Sequence, residues 1–379
     1  MAALLLYDSG KWSPYVLHEV GIITPDPVIF LEYDGKRIIA GSVLEATNFA
    51  ARSDVADEFW SYEELSIDEL VRAVSFPNHL IGPELVFRAV ARSGAHTVTV
   101  PPTFHVAVAD HLRERGVEVD VNSEVWEMRR RRKKAWQLAG VERAQRAAEA
   151  AMRTAARMLR EAGRTAGFLQ LGGSALTAER IREEMSRELL AHGAESNEIM
   201  VQSGDACLEG HELGTGPILP DASCIIDCYP RDRQSGVYTD ITRTYVPGRP
   251  SEELRRLHAD CRAALQLALE TTKPGTRDAY PVVAEFFERK GYPTLATYRG
   301  EEPLGMGFNH ALGHGVGLEV HERPFIGRRS EDFVEGEVVA VEPGLYFPGV
   351  GGVRLEDTVL VTAEGTRHFT EPLSYDLEP

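Results

Sequence analysis

Residues 227–245, DCYPRDRQSGVYTDITRTY, and residues 310–324, HALGHGVGLEVHERP, decide how the whole chain is read. The first holds Asp227 and Asp240 and the second His314; Glu342 in VAVEPGLYF and Glu356 in VRLEDTV follow. Four carboxylates and one imidazole from separate segments suit a pair of divalent cations, because carboxylates bridge two ions and lower the repulsion between them. Without cations, converging carboxylates repel one another and raise their own pKa values. A single Asp or Glu in a strand is ordinarily a solvated surface residue, so it is the ordered set that carries the metal-site reading.

Asp227 ends the apolar run CII, and Asp240 precedes the alternating strand ITRTYV. Their odd separation lets a regular antiparallel hairpin set them opposite each other on one face. Opposed Cβ atoms lie about 5 Å apart, which suits carboxylates gripping two ions about 3.5–4 Å from each other. The turn is expected around Asp232, Arg233 and Gln234, with Asp232 as the competing ligand. His314 sits among glycines, Gly313 to Gly317, whose missing side chains allow close approach to a metal or substrate. Pro343 and Gly344 end the strand that carries Glu342. Glu356 is expected inside the strand VRLEDTVLV, with Arg354 two residues earlier on the same face.

DITRTY (240–245), HxxxHGVGLxxHExP (310–324), VEPGLY (341–346) and VRLED (353–357) carry a wider likeness. From about Val125 onward the chain resembles the pita-bread metallopeptidases. That family includes Xaa-Pro aminopeptidases, Xaa-Pro dipeptidases (prolidases), methionyl aminopeptidases and the metal-free creatinases. The resemblance implies Asp227, Asp240, His314, Glu342 and Glu356 as ligands of two ions, with Asp240 and Glu356 bridging. Asp227 then completes one ion, and His314 with Glu342 the other. Mn2+ or Co2+ is the expected metal, with Zn2+ a further candidate.

A cation-activated water then attacks the amide without any Ser or Cys nucleophile. The family implies Glu342 as the group that passes the proton from water to the leaving nitrogen. A metal ion and a histidine hold the oxyanion. His310 and His321 match catalytic positions that hydrogen-bond the substrate and the tetrahedral intermediate, and His211, Tyr346 and Arg354 match the substrate pocket. Arg354 either orients a ligand carboxylate or binds a substrate carboxylate. The chain departs from the family pattern in three places. The Asp227-to-Asp240 spacing is two residues longer than usual, DCYPR replaces the Asp-x-Gly opening, and Asp205 stands where Asn is common.

The expected fold is a creatinase-like N-terminal α/β domain, residues 1–122, followed by an α+β pita-bread catalytic domain, residues 123–379, with a pseudo-twofold duplication. In the first domain, strands are expected at 28–33, 37–40, 96–100 and 117–121, with an Asp34-Gly35 turn. Helices are expected at 66–75, 82–93 and 104–115. Residues 52–64 read as a surface loop and helix start, or as a segment reaching over the active site. A long helix starts after a Ser123 cap and breaks at Gly140, and its basic run RRRRKK (129–134) forms a solvated or dimer-facing side. Helices follow at 177–192, 252–271 and 278–290. Strands are expected at 199–202, 223–228, 237–246, 316–320, 338–346 and 353–361.

A chain of 379 residues with 43% hydrophobic content holds two domains with full cores. No apolar run approaches the roughly 20 residues of a membrane span. The opening MAALLLYDSGKW lacks the basic start of a cleaved leader. Four cysteines without a disulfide framework fit a reducing cytoplasm. A net charge of −17 argues against nucleic acid.

The leading expectation is an Xaa-Pro dipeptidase acting as a homodimer on proline-containing dipeptides or short peptides. An Xaa-Pro aminopeptidase acting on longer peptides is the alternative. A lyase or a binding protein on the same fold stands behind both.

Overall fold

The computed structural model describes residues 2–50, 55–73, 75–210 and 212–379. It divides into two compact units, Met1–Arg130 and Arg131–Pro379.

In the first unit, strands β1 (Ala3–Asp8), β2 (Val28–Tyr33), β3 (Lys36–Gly41), β4 (Glu58–Ser61), β5 (Thr97–Val100) and β6 (Glu118–Val121) form one sheet. Its order is β4-β3-β2-β1-β5-β6. Asp34 and Gly35 both take positive φ, 50° and 77°, which gives the tight β2–β3 turn expected of that pair. The apolar opening, to which no element was assigned above, is an interior strand, antiparallel to β2 and parallel to β5, with Leu5 and Leu6 buried. Its run is continuous rather than alternating because such a strand is covered on both faces. Within 52–64, Glu58–Ser61 pairs in parallel with β3, so it is a sheet edge and not a loop. Arg52–Asp54 lie outside the described residues.

Helix α1 (Ser123–Arg131) is capped by Asn122, whose Oδ1 accepts the Val125 N–H at 3.2 Å, rather than by Ser123. The helical break falls at residues 132–134, and α2 (Ala135–Glu161) runs straight through Gly140. A Cβ on Gly140 would collide with Ser235 Oγ and meet Val237 Cβ at 3.0 Å. That glycine therefore serves close packing and not a kink.

The basic run is not the solvated side it was expected to be. Arg129 donates to Glu19 Oε1 at 2.5 Å and Glu32 Oε2 at 2.8 Å. Arg131 pairs with Glu337, with Glu331 Oε2 at 3.1 Å and with the Asp332 carbonyl at 2.7 Å. Lys133 pairs with Glu322. Buried cations persist only where such partners exist.

In the second unit, α2 packs on α3 (Ala178–Ala191), where Ala147, Ala148, Ala151 and Ala155 are fully buried beside Ile181, Met185 and Leu189. The Thr177 side chain caps α3 as expected. This pair covers a three-stranded sheet of β7 (Ile199–Ser203), β8 (Cys224–Cys228) and β9 (Ile241–Tyr245). A second pair follows, α4 (Glu252–Thr271) behind its Ser251 cap, and α5 (Ala279–Arg289).

Apart from short two- and three-residue strands at 163–175, 194–195 and 231–232, the second unit adds β10 (Gly313–Gly315), β11 (Glu322–Ile326), β12 (Val338–Val341), β13 (Gly344–Phe347), β14 (Gly351–Arg354), β15 (Asp357–Thr362) and β16 (Gly365–His368). Five of them form a sheet in the order β11-β10-β12-β15-β16, and β13 with β14 forms a separate hairpin.

Three strand expectations are corrected here. The strand near His314 is β10, residues 313–315, and not 316–320. β10 lies between β11 and β12, where a Cβ on Gly313 would strike the Ala340 carbonyl and one on Gly315 the Arg323 carbonyl. The segment 338–346 is interrupted at Glu342-Pro343, and 353–361 at Leu355-Glu356, so each crosses from one sheet to another. Proline has no N–H to continue a ladder.

Two predictions follow from this packing. Lys133→Met leaves Glu322 as an uncompensated buried carboxylate, and it should cost about 3–5 kcal/mol in urea unfolding. His258 is buried, its Nε2 has no hydrogen-bond partner among the described residues, and burial with the nearby Arg262 lowers its pKa to about 4. The unfolded histidine titrates near pH 6.5, so its neutral burial contributes fully above that value and is lost as pH falls from about 6.5 toward 4. The Tm of His258→Gln should accordingly fall less than that of the wild type between pH 7 and pH 5.

Candidate metal centre

Asp227 and Asp240 come to one face, but not opposite each other. The β8–β9 register pairs Asp227 with Thr242 and Cys228 with Ile241, so Asp240 sits just before β9, diagonally two residues away. The connection is not the plain turn expected at 232–234. Arg231–Asp232 forms a short ladder with Ala194–Glu195. The Asp232 carboxylate is held by Arg143 at 2.7 Å and 3.2 Å and by the Ser235 N–H at 2.9 Å. Those bonds occupy the competing ligand away from the cluster. An even shift keeps side chains on the same face, which is why parity gave the right face and the wrong partner.

His314 lies on β10 with Nδ1 at 3.1 Å from the Gly315 carbonyl. A carbonyl only accepts, so Nδ1 carries the proton and Nε2 presents its lone pair. That Nε2 is 3.8 Å from Asp240 Oδ2 and 3.8 Å from Glu342 Oε1. Burial and the adjacent His321, whose ring stands edge-on at 4.3 Å between centroids, lower the His314 pKa to about 4 and keep it neutral. Ligand atoms of Asp240, His314 and Glu356 all lie within 4.8 Å of one another, a group able to hold a metal ion.

Glu342 and Glu356 reach the cluster from the two strand breaks. The Glu356 N–H donates to the Thr242 carbonyl at 3.0 Å, and its Oε2 accepts from Thr242 Oγ1 at 2.7 Å. Arg354, buried, donates through Nη2 to Asp227 Oδ2 at 2.5 Å and through Nη1 to Tyr346 Oη at 3.1 Å. Of the two roles expected for Arg354, this geometry matches the orienting of a ligand carboxylate.

Burial first, and then repulsion from neighbouring carboxylates, pushes Asp240 and Glu356 well above the usual carboxylate range. Glu342 rises to about 7, chiefly through burial. Asp227 Oδ1 and Asp240 Oδ1 are buried without a hydrogen-bond partner among the described residues. Orphaned carboxylate oxygens among raised carboxylates are what a bound divalent cation would satisfy, so the donor set fits the expected ions.

The five residues open into a cavity of about 720 Å³ that His310, His321, Tyr346 and Arg354 also line. His310 Nδ1 lies 2.6 Å from the Ala311 carbonyl, which leaves Nε2 to accept from Tyr346 Oη–H at 3.2 Å. His211 lies outside the described residues.

Several participants were not anticipated. Thr242 touches both Glu356 and Arg354, and its place two residues after Asp240 already put it on the ligand face. Glu322 accepts the N–H groups of Leu318 at 3.1 Å and Glu319 at 3.3 Å, as well as Lys133 Nζ, and so pins the loop that carries Val320 and His321. No spacing in the sequence joins Lys133 to Glu322. Tyr229, Glu198 and Phe325 also line the cavity.

With this geometry in place, the comparisons with known proteins converge. Residues 139–363, more than half of the chain, match metallopeptidase family M24. The chain belongs to that family. It is 40% identical over 134 residues to the Xaa-Pro dipeptidase of Pyrococcus horikoshii, a match covering 35% of each protein. It is 31% identical over 227 residues to the Xaa-Pro dipeptidase of Lactobacillus delbrueckii subsp. lactis, covering 56% of this chain and 57% of the relative. The match thus spans about a third of the length of the first of these relatives and somewhat over half of the second.

Two solved structures share the fold over nearly the whole chain. The Xaa-Pro dipeptidase from Bacillus anthracis has a TM-score of 0.76 at 24% identity, covering 99% of this chain and 94% of its own. The X-Pro aminopeptidase from Thermotoga maritima MSB8 has a TM-score of 0.77 at 21% identity, covering 100% and 97%.

Thr242→Val removes the donor to Glu356 and a neighbour of the Arg354 guanidinium. It should weaken Mn2+ affinity by about 10–100-fold in equilibrium dialysis, with the circular dichroism spectrum unchanged.

Proposed function

We propose that the protein is a dinuclear metal-dependent peptidase that hydrolyses the bond between an N-terminal residue and proline, and that it acts as an Xaa-Pro dipeptidase. The observation that carries this reading is the cavity where Asp227, Asp240, His314, Glu342 and Glu356 meet His310 and His321. The printed names of the relatives in sequence support the dipeptidase choice. The fold does not separate it from aminopeptidase action, since a dipeptidase and an aminopeptidase resemble it equally.

In this reading Asp227, Asp240, His314, Glu342 and Glu356 would hold two divalent ions, with Mn2+ or Co2+ preferred and Zn2+ accepted. When bound, the ions supply charge stabilisation and a water acidic enough to serve as nucleophile near neutral pH. Glu342, a carboxylate on the cavity lining beside His314, is placed to take a proton and return it to the proline nitrogen. Arg354 and Thr242 hold the carboxylates of Asp227 and Glu356 in place. The Ala311 carbonyl fixes the tautomer of His310 and Tyr346 helps hold its ring, and His310 and His321 would face the substrate and the oxyanion that forms on its carbonyl. His211 is assigned to the substrate side by family resemblance alone.

The same reading takes residues 1–122 as a creatinase-like N-terminal domain and 123–379 as a pita-bread domain of two related halves. The repeated order of helix pair and sheet supports it. A cytoplasmic homodimer acting on proline-containing dipeptides completes the proposal. Among the described residues no helix is long and apolar enough to cross a membrane.

The test is hydrolysis of Xaa-Pro dipeptides, Xaa-Pro-Xaa tripeptides and longer peptides, after chelation and after adding Mn2+. Metal-restored cleavage of dipeptides alone is expected, and Asp240→Asn should abolish it. Cleavage of the longer peptides would make the protein an Xaa-Pro aminopeptidase, and cleavage of neither would overturn the peptidase reading.

A further inference from the structure

We infer that Tyr229 and Glu198 form a specificity wall for the N-terminal residue of the substrate and favour a cationic side chain there, an inference that rests on the peptidase reading above. It starts from the DCYPR departure. Where the family pattern has a glycine two residues after its first ligand, this chain has a tyrosine, and residues two apart on a strand share a face. Tyr229 therefore projects to the same side as Asp227, and both line the cavity. One further step of the β8–β9 register, beyond Cys228 with Ile241, sets Tyr229 beside Asp240. A glycine leaves this volume open, whereas a phenol ring fills it next to the carboxylate cluster.

The ring is anchored at its far end. Tyr229 Oη donates to Glu198 Oε2 at 3.2 Å, and the Glu198 side chain, just before β7, is exposed on the cavity lining. Charge bookkeeping gives Glu198 its role. The charged residues lining the cavity are Glu198, Asp227, Asp240, Glu342, Arg354 and Glu356. Two divalent ions would balance the four ligand carboxylates, and Arg354 offsets Glu198 only in the total, because its hydrogen bonds go to Asp227 and Tyr346. Glu198 remains, a carboxylate with no cation paired to it among the described residues.

The lining offers a peptide two unlike kinds of group: Phe325 and Val320, apolar and suited to a proline ring, and Tyr229 with Glu198, aromatic and anionic. An arginine or lysine side chain can lay its methylene stem against the phenol and bring its charge to Glu198. A branched apolar side chain meets the same wall with nothing to offset the desolvation of the carboxylate. The substrate class inferred is thus dipeptides of a basic residue followed by proline.

The experiment compares Arg-Pro with Leu-Pro on the Mn2+-loaded protein in two readouts, binding of their non-hydrolysable reduced-amide analogues by calorimetry and hydrolysis of the dipeptides themselves. It uses the wild type, Glu198→Gln, Tyr229→Phe and Tyr229→Gly, each checked for fold by circular dichroism. The wild type should favour Arg-Pro. Glu198→Gln should reduce that preference by about threefold, the scale of an exposed ion pair. Tyr229→Phe, which keeps the wall and drops its anchor, should reduce it less. Tyr229→Gly should improve Leu-Pro relative to Arg-Pro by opening the wall. An Arg-Pro to Leu-Pro binding ratio identical in the wild type and Glu198→Gln would overturn the inference, even if both hydrolyse Xaa-Pro peptides. A Glu198-dependent binding preference without hydrolysis would keep the inference and defeat the peptidase reading.

Discussion

Mutual repulsion of carboxylates is the constraint around which the second unit is arranged. Asp240, Glu342 and Glu356 are buried close to one another, and burial and repulsion lift their pKa values. The fold answers on the protein side with Arg354, buried and donating to Asp227, and with the Thr242 hydroxyl on Glu356. Among the described residues two buried carboxylate oxygens, on Asp227 and Asp240, are left without a hydrogen-bond partner. Bare anionic acceptors side by side in one cluster are what bound cations would satisfy.

Interruption of the sheets is how the ligands reach one point. A continuous strand sends alternate side chains to opposite faces, so one strand supplies ligands to a common centre only every second residue. Glu342 and Glu356 instead sit where the chain leaves one sheet and enters another, at Pro343 and at Leu355. Thr242 bridges to Glu356 across that gap and links the three-stranded sheet to the five-stranded one. The close approach of β10 to both neighbours, possible only with Gly313 and Gly315, brings His314 to the same place.

Remote residues hold the loop on the substrate side. Glu322 ties the backbone of Leu318 and Glu319 to itself and is paired with Lys133, which lies between two helices far away in sequence. The basic run thereby changes meaning: the charges of Arg129, Arg131 and Lys133 are struts within each unit, while Arg132 stays exposed. Its helix breaks at residues 132–134, which frees Lys133 to turn inward, while Gly140, the residue that looked like a hinge, is needed for packing on Ser235 and Val237.

By itself the sequence determined the family, the five candidate ligands with their histidine companions, the long amphipathic helices with their Ser251 and Thr177 caps, and the Asp34-Gly35 turn. Those signals are local: a cap, a turn or a ligand motif is written in a few neighbouring residues. Parity along the chain also placed Asp227 and Asp240 on one face. Tertiary structure alone decided which residue stood opposite which, because the Arg231–Asp232 ladder, held by Arg143, replaced the simple turn. It decided likewise where the strands broke, that an apolar opening was an interior strand, and that Lys133 met Glu322. Each of these depends on what packs against a segment from elsewhere in the chain, and periodicity records only that a face is buried, not by what.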